Sequence, residues 1–290
     1  MPCTNTVATV ATVHSQKDLH VLLNSLNIWA TGKIKVYILC DSPIFLWLQT
    51  TTFSYLELKT KVALDTYKNI SRYTMERTPG KFYKTQWGDL MGEKMNLLDW
   101  VFQTEENTFL LDSDICFFGP LPTIPEGTQL ALSPHGINRA SEIRFGKYNG
   151  GFLYTSSKTL AAEWRKATHT SRYFEQAALE DLAILYKGLS GGLYEFPLQI
   201  NYGWWRMFQA DDYPDDQKKK FGFFRGNSSN SGILFDGVPL NSTHTHWHEK
   251  SDKVIQDFNT VILQKLRLCS TKSSKTAELF RMLQKMVDNQ

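Results

Sequence analysis

Cysteine is scarce in this chain. There are four in 290 residues, Cys3, Cys40, Cys116 and Cys269, and none stands at the spacing of a metal-binding pair. That excludes a zinc ribbon or finger. Cys40 and Cys116 fall inside apolar runs, where a free thiol behaves as a small hydrophobe, so a reducing compartment without disulfides is expected. No apolar run is long enough to cross a bilayer. The N-terminus lacks the basic-then-apolar order of an export signal, from which we expect a cytoplasmic protein of the kind made by bacteria or large DNA viruses. On that expectation the sequons at Asn69, Asn227 and Asn241 are chance matches. Charge of one sign is also in short supply. A net charge of +3 excludes nucleic acid as the principal partner, because phosphate-backbone binding needs a clustered basic surface. The basic run Lys218 to Lys220 follows the acidic stretch Asp211 to Asp216, which reads as a balanced, solvated loop. Internal repeats and low-complexity linkers are missing as well.

What the chain does have is apolar periodicity. Hydrophobic residues make up 42% and aromatic residues 13%, and 290 residues are long enough for one large α/β domain or two small ones, with a substantial core. Asn5 to Val13 is β-branched and small and predicts a strand. Asp18 to Trp29 carries Leu19, Leu22, Leu23 and Leu26 at helical spacing, and Ile34 to Cys40 predicts a second strand buried on both faces. This βαβ opening implies a parallel sheet. A helix from about Glu93 to Phe102 leads into a strand at Thr108 to Leu111. Strands are expected at Leu130 to Ser133 and Gly151 to Thr155, helices at Thr159 to Ala167 and Tyr173 to Tyr186, and a turn at Gly191-Gly192. Two amphipathic helices, Lys253 to Leu266 and Lys275 to Val287, close the chain.

The most informative stretch is Phe109-Leu110-Leu111-Asp112-Ser113-Asp114. Two carboxylates follow an apolar strand abruptly, at the end where open α/β sheets bind ligands. Alternation along a strand turns both the same way. Adjacent carboxylates repel unless a cation neutralises them, and a hard divalent ion is the natural occupant. The plain alternative is a turn cap before Gly119-Pro120.

The surrounding run FLLDSDICFFGPLP resembles the Asp-x-Asp segment of GT-A fold glycosyltransferases. Other segments agree in order. ATVATVHSQKDLHVLLNSL is similar to the first strand and helix of that fold. YNGGFLYTS resembles the Asn-x-Gly strand beside the donor sugar, and FEQAAL the Asp-Gln-x-x-Leu helix start of glycosyltransferase family 8. LQINYGWW resembles that family's Asn-Trp segment, and HTHWHEK its His-x-x-Gly-x-x-Lys motif. Glu175 stands where the family has Asp, and Trp247 where it has Gly. The resemblance implies a Rossmann-like, mainly parallel sheet flanked by helices, with residues 1–250 as catalytic domain and 251–290 as a helical extension on it. It implies Mn²⁺ or Mg²⁺, a UDP-sugar donor and transfer to a hydroxyl of a glycan acceptor. The alternatives are a non-catalytic carbohydrate-binding protein and a sugar-nucleotide nucleotidyltransferase. The latter needs a Gly-rich phosphate loop after the first strand, where this chain has ATVATVHSQ.

Roles follow on that basis. Asp112 and Asp114 are expected on the metal, with Asp112 alternatively on the ribose and Ser113 between them in the donor site. His244 or His246 completes the metal shell: motif spacing selects His244 with Lys250 on the diphosphate, whereas strand-end position selects His246. Thr9, Ala11, Thr12 and Val13 are expected to flank the nucleotide. Asp41 either accepts from base or ribose or caps a helix before Ser42-Pro43. Lys94 either turns its amine to the diphosphate or lies on the surface. Asn149 sits beside the donor sugar, and Gly150 and Gly151 let substrate approach the backbone. On a helix starting at Tyr173, Glu175 is centred on the apolar face in the first turn. Glu175 is therefore the first catalytic candidate, ahead of Gln176 and Asp181. The loop Ser71 to Trp87, with Arg72, Arg77, Lys81 and Lys84 among aromatics, is either a lid or a solvated loop.

Overall fold

The computed structural model describes residues 5–189, 192–226, 231–270 and 274–288. Cys3, Gly191 and the sequon at Asn227 lie outside them. The chain begins with the expected βαβ unit: β1 (Thr6–Ala11), α1 (Gln16–Trp29) and β2 (Ile34–Cys40). It continues through α2 (Ser42–Gln49), β3 (Leu56–Val62), the short α3 (Arg72–Met75) and α4 (Gln86–Val101). The middle of the chain forms β4 (Thr108–Asp112), β5 (Ile115–Phe117), β6 (Leu130–Pro134), α5 (Arg139–Phe145), β7 (Tyr148–Thr155), α6 (Leu160–Thr168) and α7 (Leu179–Lys187). After β8 (Leu193–Glu195) come β9 (Tyr202–Gly203), α8 (Arg206–Gln209), α9 (Pro214–Lys219), β10 (Phe221–Arg225), β11 (Ser231–Phe235), β12 (Val238–Pro239), β13 (Ser242–His244), α10 (Lys253–Cys269) and α11 (Lys275–Asp288).

Seven strands make one sheet in the order β3-β2-β1-β4-β7-β6-β8. Its pairs are parallel except those made by β7, which runs against β4 and β6. The mixed, mainly parallel sheet flanked by helices is therefore the observed architecture. Side-chain alternation splits its interior. Ala8 and Leu110 face a core with Leu97, Leu98 and Trp164, whereas Val7 and Phe109 face one with Leu19, Leu22 and Ile38. A third core joins Val21 and Ile28 of α1 to Phe258, Ile262 and Leu266 of α10 and to Leu279 and Leu283 of α11. No helix among the described residues is long and apolar enough to cross a membrane.

Two local outcomes depart from the sequence reading. The helix expected from Glu93 starts at Gln86, because the Thr85 hydroxyl accepts from the Gly88 N–H (3.1 Å) and caps it there. The helix expected from Tyr173 starts only at Leu179. Phe174 has φ +42°, a left-handed conformation that no helix tolerates, and residues 174–178 form turns. Glu175 is consequently not in a helix first turn.

A small sheet, β5-β13-β9, stands beside the large one. Its antiparallel pairing sets His244 opposite Ile115, and its parallel pairing aligns His244 with Gly203. β1 and β4 end side by side, with Val10 level with Asp112. The carboxyl ends of the parallel strands and the end of β13 thus meet at one place.

Candidate active site

At that place lies a cleft of about 510 Å³. Its floor is the turn between β4 and β5. Strand alternation does not bring Asp112 and Asp114 together, because β4 stops at Asp112. The two-residue turn at Ser113 and Asp114 does so instead. One oxygen or nitrogen from each of Asp112, Asp114 and His244 lies within 4.8 Å of the others. The His244 Nε2 is 3.0 Å from Asp114 Oδ1 and 3.9 Å from Asp112 Oδ2. The Trp205 ring meets the His244 imidazole edge-on, centroids 4.9 Å apart, and fixes its plane.

Charges continue to either side of this trio. Lys94 reaches from α4 and is almost fully buried. Its Nζ lies 2.9 Å from Asp112 and donates to Glu175 Oε1 (2.8 Å) and to the Gly150 carbonyl (3.0 Å). Burial disfavours its ammonium, but Asp112 and Glu175 outweigh burial and raise its pKa above the ordinary lysine value. On the other side the His246 Nε2 lies 3.6 Å from Asp114 Oδ2, and its Nδ1 lies 2.9 Å from Asp18 Oδ2. Burial opposes charge on His246, but Asp114 and Asp18 carry it up to about 9. Burial likewise opposes charge on Asp114, yet His244 and His246 hold its carboxyl far below the usual range. Asp112, Asp114 and His244 thus form the centre of the cleft floor, flanked by the Lys94–Glu175 pair on one side and by His246 and Asp18 on the other. Two carboxylates and one imidazole suit Mn²⁺ or Mg²⁺, which favour oxygen ligands.

Gly151 keeps this centre open. A Cβ there would fall 2.3 Å from Asp112 Oδ2 and 2.5 Å from His244 Cε1. Asn149, two residues earlier, is buried and fully engaged. Its Oδ1 accepts from the Gly151 N–H (3.0 Å) and from Asn201 Nδ2 (3.1 Å), and its Nδ2 faces Gln176 Oε1 and His135 Nε2, each at 3.4 Å. The Gln176 Oε1 also accepts from the Gly150 N–H (3.1 Å). The His135 Nδ1 bonds the Gly146 carbonyl (2.9 Å), so that nitrogen carries the proton and Nε2 accepts. Burial pushes His135 down to about 4 and keeps it neutral.

Several expected residues lie elsewhere. Of Thr9, Ala11, Thr12 and Val13, only Thr12 lines the cleft, together with Val10. Thr9 and Ala11 are fully buried, since alternation along β1 turns odd positions away from the cleft. Asp41 is also fully buried. Its Oδ1 accepts from the Ile44 N–H (3.1 Å) as the N-cap of α2, and its Oδ2 from the Val13 N–H (2.7 Å), so it holds the backbone rather than a nucleotide. Asp181 is solvent-exposed on α7 and absent from the cleft wall, as is Lys250. The three histidines do not share a strand face, because β13 ends at His244. His244 joins the two aspartates, His246 stands between Asp114 and Asp18, and His248 turns to Asp18, with its Nδ1 3.2 Å from Oδ1.

Sequence reasoning missed Asp18 and His135, and gave no role to Asn201 although it lies in the LQINYGWW segment. Asp18 did carry a signal. It lies four residues before Leu22, on the apolar face of α1, which is the pattern that singled out Glu175. His135 carries none, because its burial depends on neighbours far away in sequence.

No protein-family model matches this chain, and no curated protein matches its sequence. Solved structures do match. Mouse xyloside xylosyltransferase 1 in its apo form superposes with a TM-score of 0.51 at 10% identity, covering 83% of this chain and 97% of that one. The apo glycosyltransferase GlyE of Streptococcus pneumoniae TIGR4 superposes with a TM-score of 0.51 at 16% identity, covering 86% of this chain and 56% of that one. This chain therefore spans little more than half of GlyE. At these identities the likeness is one of fold: the chain has the fold of these glycosyltransferases.

Proposed function

We propose that this protein transfers a sugar from a nucleoside diphosphate, UDP by motif resemblance, to an acceptor hydroxyl on a glycan. The observation that carries this reading is the meeting of Asp112, Asp114 and His244 at the carboxyl ends of β1 and β4, with Gly151 leaving them open. A divalent cation held by these three would neutralise charge developing on the departing diphosphate. The residues around them do the rest. Val10 and Thr12 wall the side where the nucleotide would lie. Lys94 adds a fixed positive charge beside Asp112, and Gln176 holds the Asn149–Gly151 backbone against the donor sugar. Glu175, buried next to Lys94, serves as acceptor base if the product inverts, or stabilises the cationic sugar if the product retains configuration. The family 8 motif order favours retention, and the anomeric signals of the product by NMR decide it.

The test is hydrolysis of a panel of UDP- and GDP-sugars with Mn²⁺ and with EDTA, for wild type and Asp114→Ala. We expect nucleotide release from one donor that needs metal and falls at least about 100-fold in the variant. If nothing is turned over, and calorimetry detects neither UDP nor GDP binding, the donor-site reading fails.

A further inference from the structure

Seven of the residues lining the cleft are aromatic: Trp87, Phe145, Tyr173, Phe174, Trp204, Trp205 and Phe208. Trp205 is accounted for by His244, and Trp87 by the Arg72 guanidinium lying over its ring (4.6 Å). The other five are not used by the site described above, although Trp204 also packs against the third core. Phe145, Tyr173, Phe174 and Phe208 belong to none of the three apolar cores. They pack on one another instead. Phe145 meets Tyr173 (5.0 Å between ring centroids), Tyr173 meets Phe174 (4.8 Å), and Trp204 meets Phe208 (5.6 Å). Phe208 is 47% exposed. The rings come from three separate segments: the end of α5, the turn before α7, and α8 with its approach. The Asn138 N–H, at the start of α5, donates to the Gln209 carbonyl at the end of α8 (2.6 Å).

Phe174 adds an independent sign. Its φ of +42° is a region that bulky residues avoid, and such strain collects at ligand sites. The distortion keeps Phe174 on the cleft wall while its neighbour Glu175 reaches Lys94.

We propose that Phe145, Tyr173, Phe174, Trp204 and Phe208 form an acceptor subsite for a pyranose ring, which lies against their faces with a hydroxyl turned to Glu175. This rests on the transferase reading of the cleft. The chemistry specifies the class of acceptor. A pyranose has flat C–H faces that suit aromatic rings, and an equator of hydroxyls that needs amide partners. Gln176 and Gln209 line the same cleft.

Saturation-transfer NMR with methyl α- and β-hexosides, methyl pentosides and disaccharides tests the subsite without turnover. Phe208→Ala removes a half-exposed ring. Phe174→Gly removes a ring where glycine relieves the backbone, so both variants should melt within a few degrees of wild type. We expect saturation of the ring protons of at least one glycoside, and a dissociation constant at least tenfold higher in each variant. Once a donor is known, the acceptor KM should rise at least tenfold in both variants. Wild type that saturates no glycoside at millimolar concentration, or variants that bind as wild type does, overturn the proposal. Absence of donor turnover sinks the transferase reading instead, and the NMR result still judges the subsite.

Discussion

Gly151 has no side chain and stands directly against Asp112 and His244. Any Cβ there collides with Asp112 and His244, so Gly151→Ala must push apart two members of the proposed metal centre. We expect Mn²⁺ affinity to fall roughly 100-fold, read by electron paramagnetic resonance titration, with the fold retained. His135 makes a different prediction. Its pKa falls from an ordinary 6.5 to about 4 in the folded chain. Between these values the unfolded chain binds the proton and the folded chain does not. The contribution of His135 to stability is therefore complete above pH 6.5, shrinks as pH falls to 4, and is gone below. The full effect is about 3 kcal/mol. In denaturant titrations at pH 7 and pH 4, His135→Gln should lose less stability than wild type by about that amount.

At the scale of elements, the segment between α3 and α4 is strapped down rather than loose. The buried Asp89 of α4 accepts from the backbone N–H groups of Lys81, Phe82 (3.0 Å) and Tyr83 (2.8 Å). Asp89→Ala leaves three donors unpaired. We expect a loss of about 2–4 kcal/mol and faster hydrogen exchange at residues 81–83. The sequence showed the aromatic and basic character of this loop but not its anchor, since the helix expected from about Glu93 left Asp89 outside it. Elsewhere local pattern was a good guide. The second strand spans Ile34–Cys40 as its continuous apolar run predicts, and α10 and α11 begin where their amphipathic stripes do. Pattern failed at residues 173–178, where helical spacing of Leu179, Leu182 and Tyr186 extended the expected helix over a turn. There the backbone at Phe174 prevailed over propensity.

For the molecule as a whole, α11 packs on α1, the helix that also carries Asp18. Leu283 is fully buried in the core they share with α10. Leu283→Ala should cost about 2–5 kcal/mol, and calorimetry should show a melting point lower by roughly 5–15 °C.

The sequence by itself determined the parallel βαβ opening, the abrupt carboxylates after β4 and the buried positions of most strands. These signals are local: periodicity and a charge after an apolar run act over a few residues. Only the tertiary structure decided which histidine joins the aspartates, and that Lys94 pairs with Glu175. It also showed that Asp41 braces backbone, and that Asp18 meets His246 across 228 residues of sequence. Such partners are set by strand pairing and packing between distant segments, and no window of sequence contains both sides of the contact.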